Sequence, residues 1–319
     1  MPEHMSEHVD VVKLLSTPSF LKSKKIEVIE TAISWIFLND RYVYKLKKPI
    51  NLGFLDYTTL EKRKHFCERE IELNSRLSPQ IYLGVDKVTK TGLNKNGEIL
   101  DYVVKMVRLP KSQLMSNMLK DNNVKETDIV RIAIVLADFH RDAELNYKFG
   151  DIEIIKENWT ENFDQTKQYI GTAIDSTSFY KISDYVNNFI EKNISLFADR
   201  IAEEKIRRCH GDMHSENIFI IEDNIFIFDC IEFNDRFSCG DVASEVAFLC
   251  MDLDFHDRED LSELFAEKYI KFSQDNKLRE LLLFYKIYRA YVRGKIACFS
   301  NDFDKARMYF DLCLKYIQK

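Results

Sequence analysis

Residues 209–235, CHGDMHSENIFIIEDNIFIFDCIEFND, constrain what this chain can fold into more than any other stretch. His210, Asp212 and Asn217 sit just before an apolar run that Glu222, Asp223 and Asn224 divide in two. The runs 218–221 and 225–228 read as the arms of a hairpin around that turn. The polar residues ahead of it then lie in a loop. The reverse turn is expected to carry Asp229 back beside Asn217, so that both reach one cation.

That set of groups has a chemistry. Phosphoryl transfer from a nucleotide needs a carboxylate that orients the attacking hydroxyl and accepts its proton. It also needs oxygen ligands for magnesium and a lysine on the phosphates. Asp212 fits the first role, with Asn217 and Asp229 as the oxygen ligands. The string HGDMHSEN…IFD closely resembles the catalytic loop and metal aspartate of the aminoglycoside phosphotransferase and choline kinase group, within the protein-kinase-like superfamily. The details SWIFL, FLDY and IEFNDRF…DVASEVAFLCMDLD are similar to a bacterial branch of uncharacterised phosphotransferases.

The resemblance implies a nucleotide lysine on YVYKLKK. Strand alternation puts Val43, Lys45 and Lys47 on one face, so either lysine can point at phosphate; the family pattern aligns best with Lys45. Its carboxylate partner is expected on the inner stripe of the next helix. Glu70 shares a face with Phe66, Cys67, Leu73 and Leu77, whereas Glu72 neighbours Glu68, Ser75 and Arg76 on a solvent face. VVKMVRLP is expected to be the interlobe hinge that meets adenine, with Met106 and Arg108 as nucleotide contacts. Asp241, in GDVASEVAFL, is expected to brace the catalytic loop. Three departures stand out. Residues 1–52 contain no glycine for a phosphate-covering loop, Asp229 is followed by Cys230 and Ile231 rather than Phe-Gly, and Glu232 comes three residues after Asp229 where relatives carry an acid two after.

The fold class expected is α+β, a protein-kinase-like two-lobed fold. Its small N-lobe, 1–108, would be an antiparallel sheet with one helix, and its larger mostly helical C-lobe would span 109–319. Strands are predicted at 33–49 (a hairpin turning at Asn39-Asp40), 81–89 and 99–108. A helix with a Thr58–Glu61 capping box should run to about Leu77. Further helices are predicted at 126–143, 155–205 and 241–318. At 319 residues, 45% hydrophobic and 31% charged, the chain can bury a substantial core. A net charge of −6 argues against a nucleic-acid partner. Seven scattered cysteines without a C-x-x-C pair imply reduced thiols, and no apolar run is long enough to span a bilayer. The expected protein is cytoplasmic, uses ATP and Mg2+, and phosphorylates a small-molecule hydroxyl with no membrane partner. A nucleotide-binding pseudokinase and a protein kinase are the alternatives.

Other groups have plainer readings. His210 reads as a backbone tie and His140 as packing, while His210 and His214 lack the further ligands of a zinc site. Lys286, Arg289 and Arg293 form a basic edge, by default a solvated stripe and otherwise a grip on an anionic substrate. Glu232, Asp235, Asp252 and Asp254 would instead suit an amine-bearing acceptor. The residues leave these two acceptor readings open.

Overall fold

The structure, a computed structural model, describes residues 3–318. The chain divides into two compact units. The first comprises the residues up to Gln113 together with Phe226–Asp235; the second comprises Leu114–Ile225 and the residues from Arg236 on. The boundary expected after residue 108 thus falls five residues later. The assignment of all of 109–319 to the second lobe is also corrected, because 226–235 clusters with the first. Phe226 and Phe228 pack against the apolar cluster of Cys67, Tyr82, Val104 and Met106, which draws that segment in.

In the first unit, helix α1 (Glu3–Ser16) precedes strands β1 (Glu27–Glu30), β2 (Ser34–Leu38) and β3 (Tyr42–Lys47). Helix α2 (Leu60–Asn74) follows, then β4 (Tyr82–Thr89), β5 (Gly92–Leu93) and β6 (Ile99–Val107). The strands form one antiparallel sheet in the order β1-β2-β3-β6-β4-β5. Alternation along β3 and β6 sorts side chains between two layers. Tyr44, Leu46 and Val103 pack with Val11 and Leu15 of α1. Val43, Val104 and Met106 pack on the other side with Cys67 of α2. Helix α1 was not anticipated. The cap of α2 is Thr59, whose side chain accepts from Lys62 N at 3.2 Å, rather than Thr58. The Thr58 hydroxyl is already spent on Asp56 at 2.6 Å.

The second unit runs through α3 (Met115–Lys120), α4 (Glu126–Asp142), α5 (Ile152–Thr166), α6 (Ser176–Lys192) and α7 (Ile194–Ala202) to β7 (Ile206–Arg208). The hairpin appears as β8 (Ile218–Ile221) and β9 (Asn224–Ile227), one residue earlier in its second arm than expected. Beyond it lie α8 (Asp235–Ser238), β10 (Cys239–Asp241), α9 (Val242–Phe255), α10 (Glu259–Ser273), α11 (Leu278–Phe299) and α12 (Phe303–Gln318). Every α9 residue from Val242 to Asp254 is buried. It is the central helix, covered by α10 and α11, with no solvent face to present. No helix of the described residues is long and apolar enough to cross a membrane.

Helices α11 and α12 approach closely at Gly294, where an added Cβ would lie 2.8 Å from the Phe310 ring. Helix propensity alone would favour alanine there by about 1 kcal/mol. Overpacking a buried contact costs about 1–3 kcal/mol and decides the sign. Gly294→Ala should therefore lower the urea midpoint at constant m-value, by a net of about 1 kcal/mol; an unchanged or raised midpoint would show that Phe310 can yield.

Candidate functional site

The candidate residues form one group in each unit. In the first, Lys45 and Lys47 share a face of β3, and both are buried. Glu70 projects from the buried stripe of α2, and Glu72 is exposed. The sequence posed Lys45 and Lys47 as alternatives, but the structure uses both. Lys45 Nζ meets Glu70 Oε1 at 3.0 Å and Lys47 Nζ meets Glu70 Oε2 at 2.7 Å. Lys45 also reaches Asp229 Oδ1 at 2.5 Å. Burial opposes the Lys45 charge, but Asp229 and Glu70 outweigh it and hold its pKa well above the usual lysine range. The same two lysines keep the buried Glu70 ionised.

Asp229 sits at φ 66°, a left-handed conformation that costs a non-glycine residue free energy and points to a constrained site. It is held there on several sides. Its N–H donates to the Tyr82 hydroxyl at 3.0 Å, and the next residue, Cys230, donates N–H to Asn74 Oδ1 at 2.8 Å. With Oδ1 on Lys45 and 44% of the side chain exposed, Asp229 keeps an open oxygen. Met106 lies in the apolar cluster beside Tyr82 and Val43. The Arg108 guanidinium is engaged by Asn39 O and Glu27 Oε2, each at 2.9 Å, so its side chain ties the β2–β3 turn.

The second group begins where β7 ends. Gly211 has φ 91°, which explains glycine between His210 and Asp212. Glu245, on buried α9, accepts from the backbone N–H of His210 at 3.1 Å and of Gly211 at 2.7 Å. Its Oε2 also lies 2.7 Å from His140 Nε2, whose other ring nitrogen meets the Tyr269 hydroxyl at 2.7 Å. His140 is thus a hydrogen-bonding brace as well as a packed side chain. On the opposite side Arg289 donates to Gly211 O at 3.1 Å. The expected brace, Asp241, is corrected to Glu245. Asp241 pairs with buried Arg200 at 2.7 Å and caps α9 through Ala243 N at 2.8 Å. A lone glutamate in the apolar run VASEVAFLC was the signal that could have found the true brace.

Held this way, the loop presents Asp212. Its Oδ2 accepts from His214 Nε2 at 3.2 Å and from Asn217 Nδ2 at 2.9 Å, while His210 Nδ1 accepts the Asp212 N–H at 3.2 Å. Because the Asn217 amide nitrogen faces Asp212, its oxygen Oδ1 is the atom suited to a hard cation. Burial disfavours the Asp212 charge. His214, Arg293 and His210 outweigh that and hold the carboxyl well below the usual range. About 36% of the Asp212 side chain stays open. The His214 ring packs against Phe248 at a tilt of 30°, 5.3 Å between centroids. His140, Cys209 and Glu245 also lie within 4.8 Å of one another. Both His140 ring nitrogens are occupied, however, and burial keeps the Cys209 thiol protonated, so the cluster serves as part of the brace.

The charges singled out for an acceptor are already matched within their own units. Glu232 takes Lys47 and Tyr57, Asp235 takes Arg69, Asp252 takes Ser215 N–H, and Asp254 takes Lys286 and Tyr316. The basic edge is not a solvated stripe. Lys286 is paired, Arg289 lies over Phe248 at 4.7 Å and bonds Ser244, and Arg293 leans on Glu216 at 3.5 Å.

The sequence model of the phosphotransferase enzyme family matches residues 64–281. Uncharacterised proteins of Mycobacterium tuberculosis and Mycobacterium bovis are 33% identical over 276 residues, which is 86% of this chain and 55% of theirs. The chain therefore spans about half the length of these curated relatives. Choline kinase from Cryptosporidium parvum superposes with a TM-score of 0.59 at 12% identity, covering 98% of this chain and 95% of that one. Aminoglycoside 2'-phosphotransferase-IIIa, in its GDP complex, gives 0.58 at 11% identity, covering 97% and 98%. The fold is protein-kinase-like, with an antiparallel-sheet N-terminal lobe and a helical C-terminal part.

Removing the brace should be costly. Glu245→Ala leaves buried donors without an acceptor and should destabilise the protein by about 3–5 kcal/mol in urea unfolding; a loss below about 1 kcal/mol would show the brace to be dispensable. Burial resists the Glu245 charge, but its hydrogen bond and proximity to His140 bring the pKa down from 4.5 to about 2. A carboxyl whose folded pKa is depressed stabilises fully above its unfolded pKa and loses that contribution as pH falls. Acid titration from about pH 5 to pH 2 should therefore remove on the order of 3 kcal/mol in the wild type, and less of it in Glu245→Gln.

Proposed function

The chain belongs to the phosphotransferase enzyme family, and on that premise we propose that it moves the γ-phosphate of ATP, with Mg2+, to a hydroxyl of a small molecule. The observation that carries this reading is Asp212: an ionised, part-open carboxylate on a loop fastened from both sides, with Asn217 on the same oxygen. The acceptor hydroxyl donates to Asp212 as its oxygen bonds to the γ-phosphorus. The bond from that phosphorus to the β–γ bridging oxygen breaks, ADP leaves, and the hydroxyl proton passes to Asp212. A carboxylate held well below its usual pKa is a weak base. Asp212 thus acts chiefly by orienting the hydroxyl and takes the proton late, as suits a loose phosphoryl transition state.

Lys45 donates to phosphate oxygens and Glu70 holds it on β3. Asn217 and Asp229 would hold the magnesium, which would neutralise charge on the transferring phosphate. Met106 and Arg108 belong to the segment proposed to meet adenine. The seven cysteines are buried thiols, which supports a reducing, cytoplasmic setting. The structural neighbours' own substrates, choline and aminoglycosides, favour a small molecule over a nucleic acid or a membrane.

A nucleotide-binding regulatory protein is the second reading, favoured by the glycine-free stretch 1–52. Phosphate transfer to a compound in a metabolite extract, followed with labelled ATP, decides between them. Asp212→Ala should lower turnover by about 10²–10⁴, or 3–5 kcal/mol, with ATP-dependent thermal stabilisation retained. Wild-type turnover in that variant would remove Asp212 from the chemistry.

A further inference from the structure

The reaction as described does not use the second buried lysine of β3. Lys47 Nζ bridges Glu70 and Glu232 Oε1, and it lies 4.9 Å over the Tyr57 ring. The Tyr57 hydroxyl donates to the same Glu232 oxygen at 2.6 Å. All of these groups are buried, and Glu232 is only 3% exposed. Burial and the neighbouring Glu232 charge keep Tyr57 a phenol.

Two ion pairs therefore hang from one carboxylate. The outer rung is Lys45–Asp229 and the inner rung is Lys47–Glu232, with Glu70 between them. Two ammoniums face three carboxylates, and Asp229 is the one acid of the three with an open face. The inner rung also anchors the segment that follows Asp229. Arg69 Nε donates to Glu232 O at 3.0 Å, and Arg69 pairs with Asp235 at 2.5 Å.

For Lys45 to serve a nucleotide and Asp229 a cation, their mutual contact must loosen. Lys45 then shares its charge between Glu70 and a phosphate, and with no second lysine Glu70 would be a poorly compensated buried carboxylate, at a cost of several kcal/mol. The loosened contact would also free a segment whose left-handed Asp229 needs support. Lys47 removes both penalties.

We propose that Lys47, Glu232 and Tyr57 form an inner positioning set that lets Lys45 and Asp229 separate toward phosphate and metal while Glu70 stays paired and residues 229–235 stay attached to α2. This rests on the phosphotransferase reading above. None of the three touches the reacting atoms; each acts through Lys45 or Asp229. The spacing is matched on both sides, Lys47 two residues after Lys45 on the same strand face and Glu232 three after Asp229.

The test uses the full chain, a nonhydrolysable ATP analogue, and Mn2+ as an EPR probe of the metal site. Glu232→Gln keeps the shape and one acceptor oxygen, enough for the Lys47 and Tyr57 contacts on Oε1, but removes the charge. It should bind the analogue without metal within about threefold of wild type, yet bind Mn2+ about 10–100-fold more weakly. In turnover, the KM for Mg2+ should rise more than kcat falls. Tyr57→Phe, which removes one hydrogen bond and leaves the ion pair, should shift Mn2+ affinity the same way by a smaller factor. Wild-type Mn2+ affinity in a folded Glu232→Gln would overturn the proposal. So would parallel loss of metal-free analogue binding, Mn2+ binding and thermal stability, since that marks a purely structural role. A wild-type protein that binds neither Mn2+ nor the analogue would remove the parent reading, and this one with it.

Discussion

The first unit is organised around a buried negative charge. Glu70 has no exposed surface, and an isolated carboxylate in that position would be prohibitively costly. It is tolerated because β3 supplies ammoniums two residues apart, one to each carboxylate oxygen. Those lysines in turn take Asp229 and Glu232, from a segment more than 180 residues further along the chain. One acid thus ties a strand, a helix and a distant loop into a single body. The same ties explain why Phe226–Asp235 groups with the first unit although its neighbours in sequence do not.

The second unit solves a related problem by placing its charge inside a helix. Helix α9 has no solvent face, yet it carries Glu245. The carboxylate is satisfied by two loop amides and His140, and Arg289 closes the Gly211 peptide from its carbonyl side. The loop therefore inherits the rigidity of the helical core. Asp212 is aimed by backbone bonds, and its oxygen is further located by His214 and Asn217. Precision of this kind is what the proposed reaction, dominated by positioning, would require of Asp212.

Charged residues that looked available in the sequence prove to be committed. Asp252 holds Ser215, Asp254 is shared by Lys286 and Tyr316, and Arg289 spends its donors on backbone and Ser244 oxygens. A charge run read from sequence overstates what a ligand can use, because burial forces such groups to pair with each other first.

Local spacing was enough to determine the strand face that carries Lys45 and Lys47, the inner stripe of α2 with Glu70 in it, and the hairpin ahead of Asp229. These follow from periods of 2 and 3.6 and from the conformational range of single residues, which a linear string records. Tertiary structure alone decided that both lysines share Glu70, that Glu232 completes the pair, that Glu245 rather than Asp241 braces the loop, and that 226–235 joins the first unit. Each of those outcomes depends on which distant side chains burial brings together, and the low-dielectric interior then obliges them to match charge and hydrogen bonds.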